Sequence, residues 1–410
     1  MATLTPFRAL RPKPDEAARI AAVPYDVVTT DEARALADGN PASFLRVSRP
    51  ELELPAGTNP YADVVYERAV ANFKQLMERS LVVEDEPSVY FYRLRMGSHT
   101  QTGLAACFSL DEYDRDVIKK HERTRRDKED DRTRHMMALG AQTGPVFLTY
   151  RASAEVDRIA QQQASAAPLF DFEAADGVRH TIWRIGGAGR DALVAAVSRI
   201  PALYIADGHH RAASAARARA DLAARGGSSR SLNDGADYST MLAVAFPHDQ
   251  VQILPYNRIV KDLGGLSPDG FLQAVRERFD VAPAAATPRR RGEIAMYVRG
   301  AWQTLRPRQR PDASDPIGSL DISVLQDQLL APVLKIADVR TDKLIDFVGG
   351  ARGTRALETL VDEGKAAVAF SLYPVSVSDL MAVSDAGAIM PPKSTWFEPK
   401  LRDGLLIHMI

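Results

Sequence analysis

The apolar run Leu203-Tyr-Ile-Ala206 stops at Asp207-Gly208 and gives way at once to an Ala- and Arg-rich stretch that reaches Arg225. No other feature constrains the fold as much. The first half is a short apolar run bounded by a turn and reads as a buried strand, while the second has helical composition and ends at Gly226-Gly227. Neither half can bury its apolar side alone, because the strand needs neighbours in a sheet and the helix needs that sheet's face. The same alternation runs along the chain. An amphipathic helix is expected over 62–79, where Val64, Val65, Ala69, Phe73 and Leu76 are spaced by charges. Strands are expected over 89–94 and 103–110, joined through a polar turn at 97–102, and again at 145–150, 181–185, 241–246, 252–256, 294–298 and 367–372. Helices are expected between them over 157–167 and 191–199. The pattern predicts an α+β fold.

At ~150 residues per domain, a chain of 410 residues predicts two or three domains. The Pro-, Ala- and Arg-rich stretch 282–292 and a loop at 306–318 read as linkers, and the Gly- and Ser-rich 226–237 as a flexible loop. The resulting division is an N-terminal segment at 1–85 packing on a core at 86–256, followed by a C-terminal α/β region at 257–410. Fifty-two Lys and Arg against 53 Asp and Glu leave a formal charge of −1, so no overall positive field gathers a nucleic-acid backbone. The one cysteine, Cys107, lies in the apolar run Leu104-Ala-Ala-Cys-Phe108, can form no internal disulfide, and reads as a core residue in a reducing compartment. No stretch approaches ~18 uninterrupted apolar residues and no apolar leader follows Met1, so a cytoplasmic protein without a membrane segment is expected.

The turn after the apolar run is the leading candidate site. A strand ending in a tight turn points the first N–H groups of the next helix, and the positive end of its dipole, at one spot that favours an anion such as phosphate. Gly208 would let that anion approach the backbone, and His209, His210 and Arg211 would add side-chain donors. A capped helix with surface histidines is the plainer alternative.

A second candidate begins at Val117-Ile-Lys-Lys-His-Glu-Arg-Thr124. From Arg115 to His135 there are nine Lys or Arg and six Asp or Glu, and beyond Arg126 such a mixed run also reads as a solvated helix held by i,i+4 pairs. The front differs, because His121 and Glu122 follow the apolar pair Val117-Ile118 and can be carried to a cleft by a strand end. A carboxylate among Lys120, Arg123 and Arg125 can stay ionised at neutral pH and accept a hydroxyl proton beside an anionic substrate. His121 and His135 bracket many carboxylates, but no His-x3-His pair exists, which argues against zinc.

Two segments near the termini are oddly polar. In Val23-Pro-Tyr-Asp-Val-Val28, Tyr25 and Asp26 either project into a site or form a turn whose Asp caps a helix beginning near Asp31. In Met390-Pro-Pro-Lys-Ser-Thr-Trp-Phe-Glu-Pro-Lys400, proline and aromatic content suggests a fixed loop whose Lys393, Ser394 and Thr395 close on an anion or nucleotide. Both segments are expected to converge on the 207–211 turn. Gly186-Gly-Ala-Gly189 lacks the G-x-G-x-x-G spacing of a dinucleotide loop and reads as a turn.

Together, Pro24-Tyr-Asp26, His121-Glu-x-Thr124, Thr143-Gly-Pro-Val146, Ala206-Asp-Gly-His-His-Arg211 and Pro391-Pro-Lys-Ser-Thr-x-Phe397 resemble the bacterial and archaeal domain-of-unknown-function family 1015, over essentially the whole chain. In its Asp-Gly-His-His-Arg region that family is similar to the free-serine kinases, which have a ParB/sulfiredoxin-like fold and phosphorylate the hydroxyl of L-serine with ADP or ATP. The resemblance implies a ParB/sulfiredoxin-like mixed core and a nucleotide-dependent kinase acting on free serine or a similar small hydroxylated metabolite. Joined to the residue-level reading, it implies Glu122 as the base, with His121 and Asp207 also catalytic. Gly208, His209, His210, Arg211, Lys393, Ser394 and Thr395 would hold the nucleotide phosphates, and Tyr25, Asp26, Arg123 and Thr124 the acceptor. Mg2+ with ATP or ADP would bridge the phosphates, with Asp207 as its protein contact. Glu122 and Asp207 stand 85 residues apart, farther than in the compact kinases. Sulfiredoxin chemistry needs a cysteine in the turn, where this chain has His. The alternatives are a nucleotide-sensing binding protein without turnover and a nucleic-acid-binding ParB-like module using the 115–135 face. Near-zero net charge and the lack of aromatics in that run argue against nucleic acid.

Overall fold

The computed structural model describes residues 1–225 and 237–410; the loop expected over 226–237, and the Gly226-Gly227 helix end, lie outside the described residues apart from Asp237. The chain forms two compact units, one of Met1–Val251 with Pro399–Ile410 and one of Gln252–Glu398. This corrects the expected division. Residues 1–85 are part of the first unit, the break falls after 251, and the tail belongs to the first unit. The tail is held there by backbone pairing, Ala22 with Asp403, Leu10 with Ile407, and His408–Met409 with Ala141–Gln142.

The first unit is built on a nine-stranded sheet. Its strands are β1 (Leu4–Thr5), β2 (Val89–Met96), β3 (His99–Ser109), β4 (Ile118–Lys119), β5 (Val146–Tyr150), β6 (Phe170–Glu173), β7 (Arg179–Ile185), β8 (Leu203–Asp207) and β9 (Thr240–Pro247). They lie in the order β4-β8-β5-β9-β3-β2-β7-β6, with β1 on β3. Neighbours are antiparallel except β4 with β8 and β5 with β9, which are parallel. The principal helices are α1 (Asp63–Arg79), α2 (Arg126–Leu139), α3 (Gly187–Val197) and α4 (His209–Ala224).

Alternation decides which side chains meet. Leu203 and Ile205 of β8, Val146 and Leu148 of β5, Met241, Ala243 and Ala245 of β9 and Leu104, Ala106 and Phe108 of β3 join one core with Ala212, Ala215 and Ala218 of α4. The alanines fall on one face of α4, and their small size lets the helix settle on the sheet. Cys107, on the alternate phase of β3, is a buried free thiol. A second core gathers Phe73, Leu76 and Ala69 of α1 with Ile20, Phe44, Leu81 and Ile407. The β2–β3 hairpin turns more tightly than its polar sequence suggests. Met96 pairs with His99 across Gly97, whose φ is 58°, and the Thr100-Gln101-Thr102 stretch is strand because Gln101 points inward and is fully buried.

The second unit carries a sheet of β10 (Tyr256–Val260), β11 (Phe279–Pro283), β12 (Ile294–Val298), β13 (Ala301–Pro307), β14 (Ile345–Gly349) and β15 (Val368–Leu372). Its order is β11-β13-β12-β15-β10-β14, antiparallel throughout. The β12–β13 hairpin turns through Arg299 and Gly300, both at positive φ (53° and 74°), the geometry that matches strand twist. Both units mix helices with sheets, so the α+β class read from the sequence is the one found. None of the described helices is long and apolar enough to cross a membrane.

Candidate functional site

β4 and β8 run side by side in the same direction, with Ile118 opposite Leu203 and Lys119 opposite Tyr204. Parallel neighbours finish on the same edge of a sheet, so the residues that follow each strand emerge together. That brings His121-Glu122 beside Asp207-Gly208-His209. His209 Nδ1 lies 3.9 Å from Glu122 Oε2. The rings of His121 and His209 meet edge to face, with centroids 4.5 Å apart and planes at 88°. Both rings are buried, at 2% and 5% exposure, whereas the Glu122 side chain is 41% exposed and is the accessible member of the group. Burial pulls the His121 imidazole down to about 4 and the His209 imidazole well below its usual range, so both rings are neutral near pH 7.

At the turn itself, Gly208 opens α4 with φ 90° and ψ 29°, a left-handed conformation that glycine adopts without penalty. Asp207 Oδ1 accepts the Gly208 N–H at 2.8 Å, and Oδ2 accepts from Lys400 Nζ at 3.0 Å. Burial would raise the Asp207 carboxyl, but the charges of Lys400 and Arg211 and these two hydrogen bonds outweigh it and hold the group far below the usual carboxylate range. The expected role of Asp207 as a metal contact does not fit this arrangement, because each oxygen is engaged and its charge is matched by Lys400.

The other turn residues brace the site. A Cβ on Gly208 would stand 3.0 Å from Arg211 Nε, so the missing side chain makes room for the Arg211 guanidinium rather than for an incoming anion. Arg211 is 9% exposed, and its Nη1 donates to the Pro145 carbonyl at 2.5 Å. His210 Nε2 accepts the Arg125 N–H at 3.1 Å and fastens the loop after β4 to α4; burial lowers its pKa as well. His209, His210 and Arg211 were expected to offer side-chain donors to a phosphate. Instead they are buried or engaged in holding two loops together.

The Pro24-Tyr-Asp26 turn does come to this region. Asp26 is exposed and close enough to act on the charges of both His210 and Arg211. The Tyr25 ring lies under the Arg132 guanidinium at 4.3 Å, and Arg132 in turn pairs with Asp131 at 2.7 Å. Helix capping falls to Thr29 rather than Asp26, through a reciprocal box with Glu32. Arg123 is exposed, and the Thr124 hydroxyl donates to the Glu129 carboxylate.

Lys393, Ser394 and Thr395 belong to the second unit. There the Lys393 carbonyl accepts from Arg258 Nη2 at 2.9 Å, and the Ser394 hydroxyl donates to the Pro391 carbonyl at 2.5 Å. It is Lys400, seven residues later, that reaches the Asp207 carboxylate within the first unit. Sequence reasoning missed Lys400 as a partner, and it missed Asp403 altogether. Asp403 is 3% exposed, and its Oδ1 lies 2.6 Å from where a Cβ on Gly144 would stand, so Gly144 of the Thr143-Gly-Pro-Val146 motif makes room for it. Burial, opposed by Arg211 and reinforced by Asp26, pushes the Asp403 carboxyl up to about 7. The apolar Leu405-Leu-Ile407 run beside these residues was the available signal, since such a tail has to return to a core.

The mixed 115–135 run becomes α2 and its approach, and several of its charges are paired. Arg125 pairs with Asp127 at 2.8 Å, Arg217 with Asp130 at 2.5 Å and with Glu129 at 3.4 Å, and Arg134 with Asp63. A cavity of about 280 Å³ opens elsewhere in the first unit among Glu16, Arg19, Arg46, Asn72 and Arg79. Arg19 and Arg46 pair there with Glu16 and Glu53, which leaves the strand edge as the richer grouping of reactive side chains.

No curated protein matches the chain. Among solved structures, a conserved hypothetical protein from Pyrococcus furiosus is similar at 14% identity and a TM-score of 0.36, covering 74% of this chain and 95% of its own. A mutant free serine kinase in complex with ADP is similar at 13% identity and a TM-score of 0.37, covering 73% and 92%. SbnI with a C-terminal truncation, from Staphylococcus aureus, is similar at 13% identity and a TM-score of 0.39, covering 74% and 87%. At that distance none of them assigns an activity here. Residues 4–323 match the family described as a protein of unknown function, DUF1015, and the chain belongs to that family.

Proposed function

We propose that the chain binds a nucleotide where β4 and β8 end and transfers its terminal phosphoryl group to the hydroxyl of a small metabolite such as free serine. The observation that carries the reading is the parallel β4–β8 pair, which sets the accessible Glu122 carboxylate beside the start of α4. With the His209 side chain buried and the His210 and Arg211 side chains bonded to the Arg125 and Pro145 backbone, the anion would be held by the first backbone amides of α4, where the helix dipole favours negative charge. The acceptor oxygen forms its bond to phosphorus as the bond to the nucleotide's leaving oxygen breaks, and its proton passes to Glu122. Arg211, fixed under Gly208, adds positive charge close to the phosphates without needing to move. Mg2+ accompanying the nucleotide belongs to this reading; since Asp207 is held by Lys400 and Gly208, the ion would rest on phosphate oxygens.

Glu122→Gln is the test. It keeps the shape of the side chain and removes the base, so formation of phosphoserine should fall by ~10²–10⁴ while ADP affinity stays within about twofold. Wild-type turnover in that variant would refute the role. A second reading, nucleotide binding without turnover, is favoured by the burial of His209 and Arg211 at 5% and 9% exposure, which leaves few mobile groups to act on a reacting phosphate. Tight ADP binding with no product from any hydroxylated amino acid would select it.

A further inference from the structure

We propose that His121, Glu122 and His209 form a binding site for a borderline divalent ion of the Zn2+ or Co2+ class. Among the described residues they are a group of three ligating side chains whose donor atoms all lie within 4.8 Å of one another. The absence of a His-x3-His pair argued against zinc, but that spacing rule holds only for ligands on one helix. Here one histidine follows β4 and the other opens α4, and the parallel strands supply the proximity.

A second observation points the same way. Nε2 of His209 is buried without a hydrogen-bond partner among the described residues, and neither buried ring nitrogen of His121 makes a hydrogen bond of ordinary geometry there, although the Ile205 backbone lies close enough to act on that ring. Two facing imidazoles whose nitrogens lack good hydrogen bonds are costly in a protein interior unless something takes their lone pairs. Bonds of ~2.0–2.1 Å place ligand atoms of a tetrahedral ion about 3.3 Å apart, so the 3.9 Å between His209 Nδ1 and Glu122 Oε2 has to close by about 0.6 Å, within a group whose donor atoms lie up to 4.8 Å apart. Glu122, half in solvent, can supply that movement and leaves an open side for water. Two imidazoles and one carboxylate suit Zn2+, Co2+ or Ni2+, whereas Mg2+ and Ca2+ take oxygen ligands. An ion held here would occupy the carboxylate that the kinase reading uses as a base, so it would inhibit turnover. The binding itself does not depend on that reading.

The experiment uses the full chain stripped of metal. Co2+ is titrated while its visible d–d absorption is followed, and Zn2+ affinity is measured by competition with a chromophoric chelator. One equivalent should bind with a tetrahedral-type spectrum. Glu122→Gln should weaken Zn2+ binding by about 10- to 100-fold, His209→Asn and His121→Asn should weaken it at least as much, and His99→Gln should leave it unchanged. Should a buried-histidine variant fail to fold, the half-exposed Glu122→Gln still reports. No saturable binding below about 0.1 mM, or binding unaltered in Glu122→Gln, would overturn the proposal. ADP titration of the same stripped protein separates the two readings. Nucleotide binding without Co2+ binding defeats only the metal site, and Co2+ binding without nucleotide binding defeats only the kinase reading.

Discussion

The two large sheets of this chain handle their strand ends differently. In the second unit every neighbour is antiparallel, so consecutive strands hand the chain from one edge to the other and polar residues finish in separate turns. In the first unit the parallel β4–β8 pair ends two strands at one place, and a base candidate, two neutral histidines and a carboxylate–lysine pair collect there. The second unit has a buried cation of its own, Arg258, but its donors go to the Tyr256 and Lys393 carbonyls and serve the chain itself. Reactive side chains thus gather where topology makes distant sequence segments neighbours. Where it does not, the same residue types satisfy the backbone.

Each unit has a buried acid whose pKa burial raises, and comparing the two gives the largest expected effect on stability. Asp403 in the first unit is pushed to about 7, and Asp321 in the second to about 6, where the Gly292 N–H opposes the shift. Between the unfolded value near 4 and the folded one, the native state keeps a proton that the unfolded chain releases, so stability falls as pH rises. For Asp403 the full loss from about pH 4 to pH 7 is on the order of 4 kcal/mol. Urea denaturation across this range should flatten with Asp403→Asn up to pH 7, and with Asp321→Asn only up to about pH 6. An unchanged slope in Asp403→Asn would mean that its carboxyl is ionised throughout.

The Asp207–Lys400 pair comes next. Asp207 is 30% exposed and Lys400 11%, so removing the lysine should cost about 2 kcal/mol rather than the roughly 3–5 of a fully buried pair. Because the Asp207 pKa is depressed in the folded state, its stabilisation is present above the unfolded value near 4 and fades as pH falls further. Lys400→Met should therefore lower the urea midpoint at pH 7, and the deficit should shrink at about pH 3. A constant deficit at both would make the lysine's contribution one of packing.

The smallest effect compares two glycines. Gly208 and Gly140 both adopt the left-handed conformation, at φ 90° and 61°, but a Cβ on Gly208 meets Arg211 at 3.0 Å whereas the nearest atom to one on Gly140 is 3.9 Å away. Alanine at either position incurs backbone strain of about 1 kcal/mol. Gly208→Ala should cost about 1 kcal/mol more, through displacement of the Arg211 guanidinium, and equal losses would show that Arg211 yields freely.

Much of this was legible beforehand. The strand, turn and helix at β8–Gly208–α4 follow from an apolar run, a left-handed glycine and an alanine-rich face, all local signals. The helix expected over 62–79 is α1. What escaped detection lies in contacts between distant segments. β4 has two residues, too few for a period, so only motif resemblance linked Glu122 to the turn. Lys400 escaped notice because its partner Asp207 lies 193 residues earlier, and it sits on a tail that pairs back to Ala22 and Leu10. The histidines and Arg211 read as phosphate donors because residue type shows what a group can do, and burial decides whether it is free to do it.

The central claim is that nucleotide binds where β4 and β8 end. Hydrogen–deuterium exchange of the full chain with and without ADP and Mg2+ tests it most directly, because it reads both units in one experiment. The account predicts slower exchange in peptides covering 118–125 and 205–214, with those of 256–372 unchanged. Protection confined to the second unit, or no protection anywhere at saturating ADP, would contradict it.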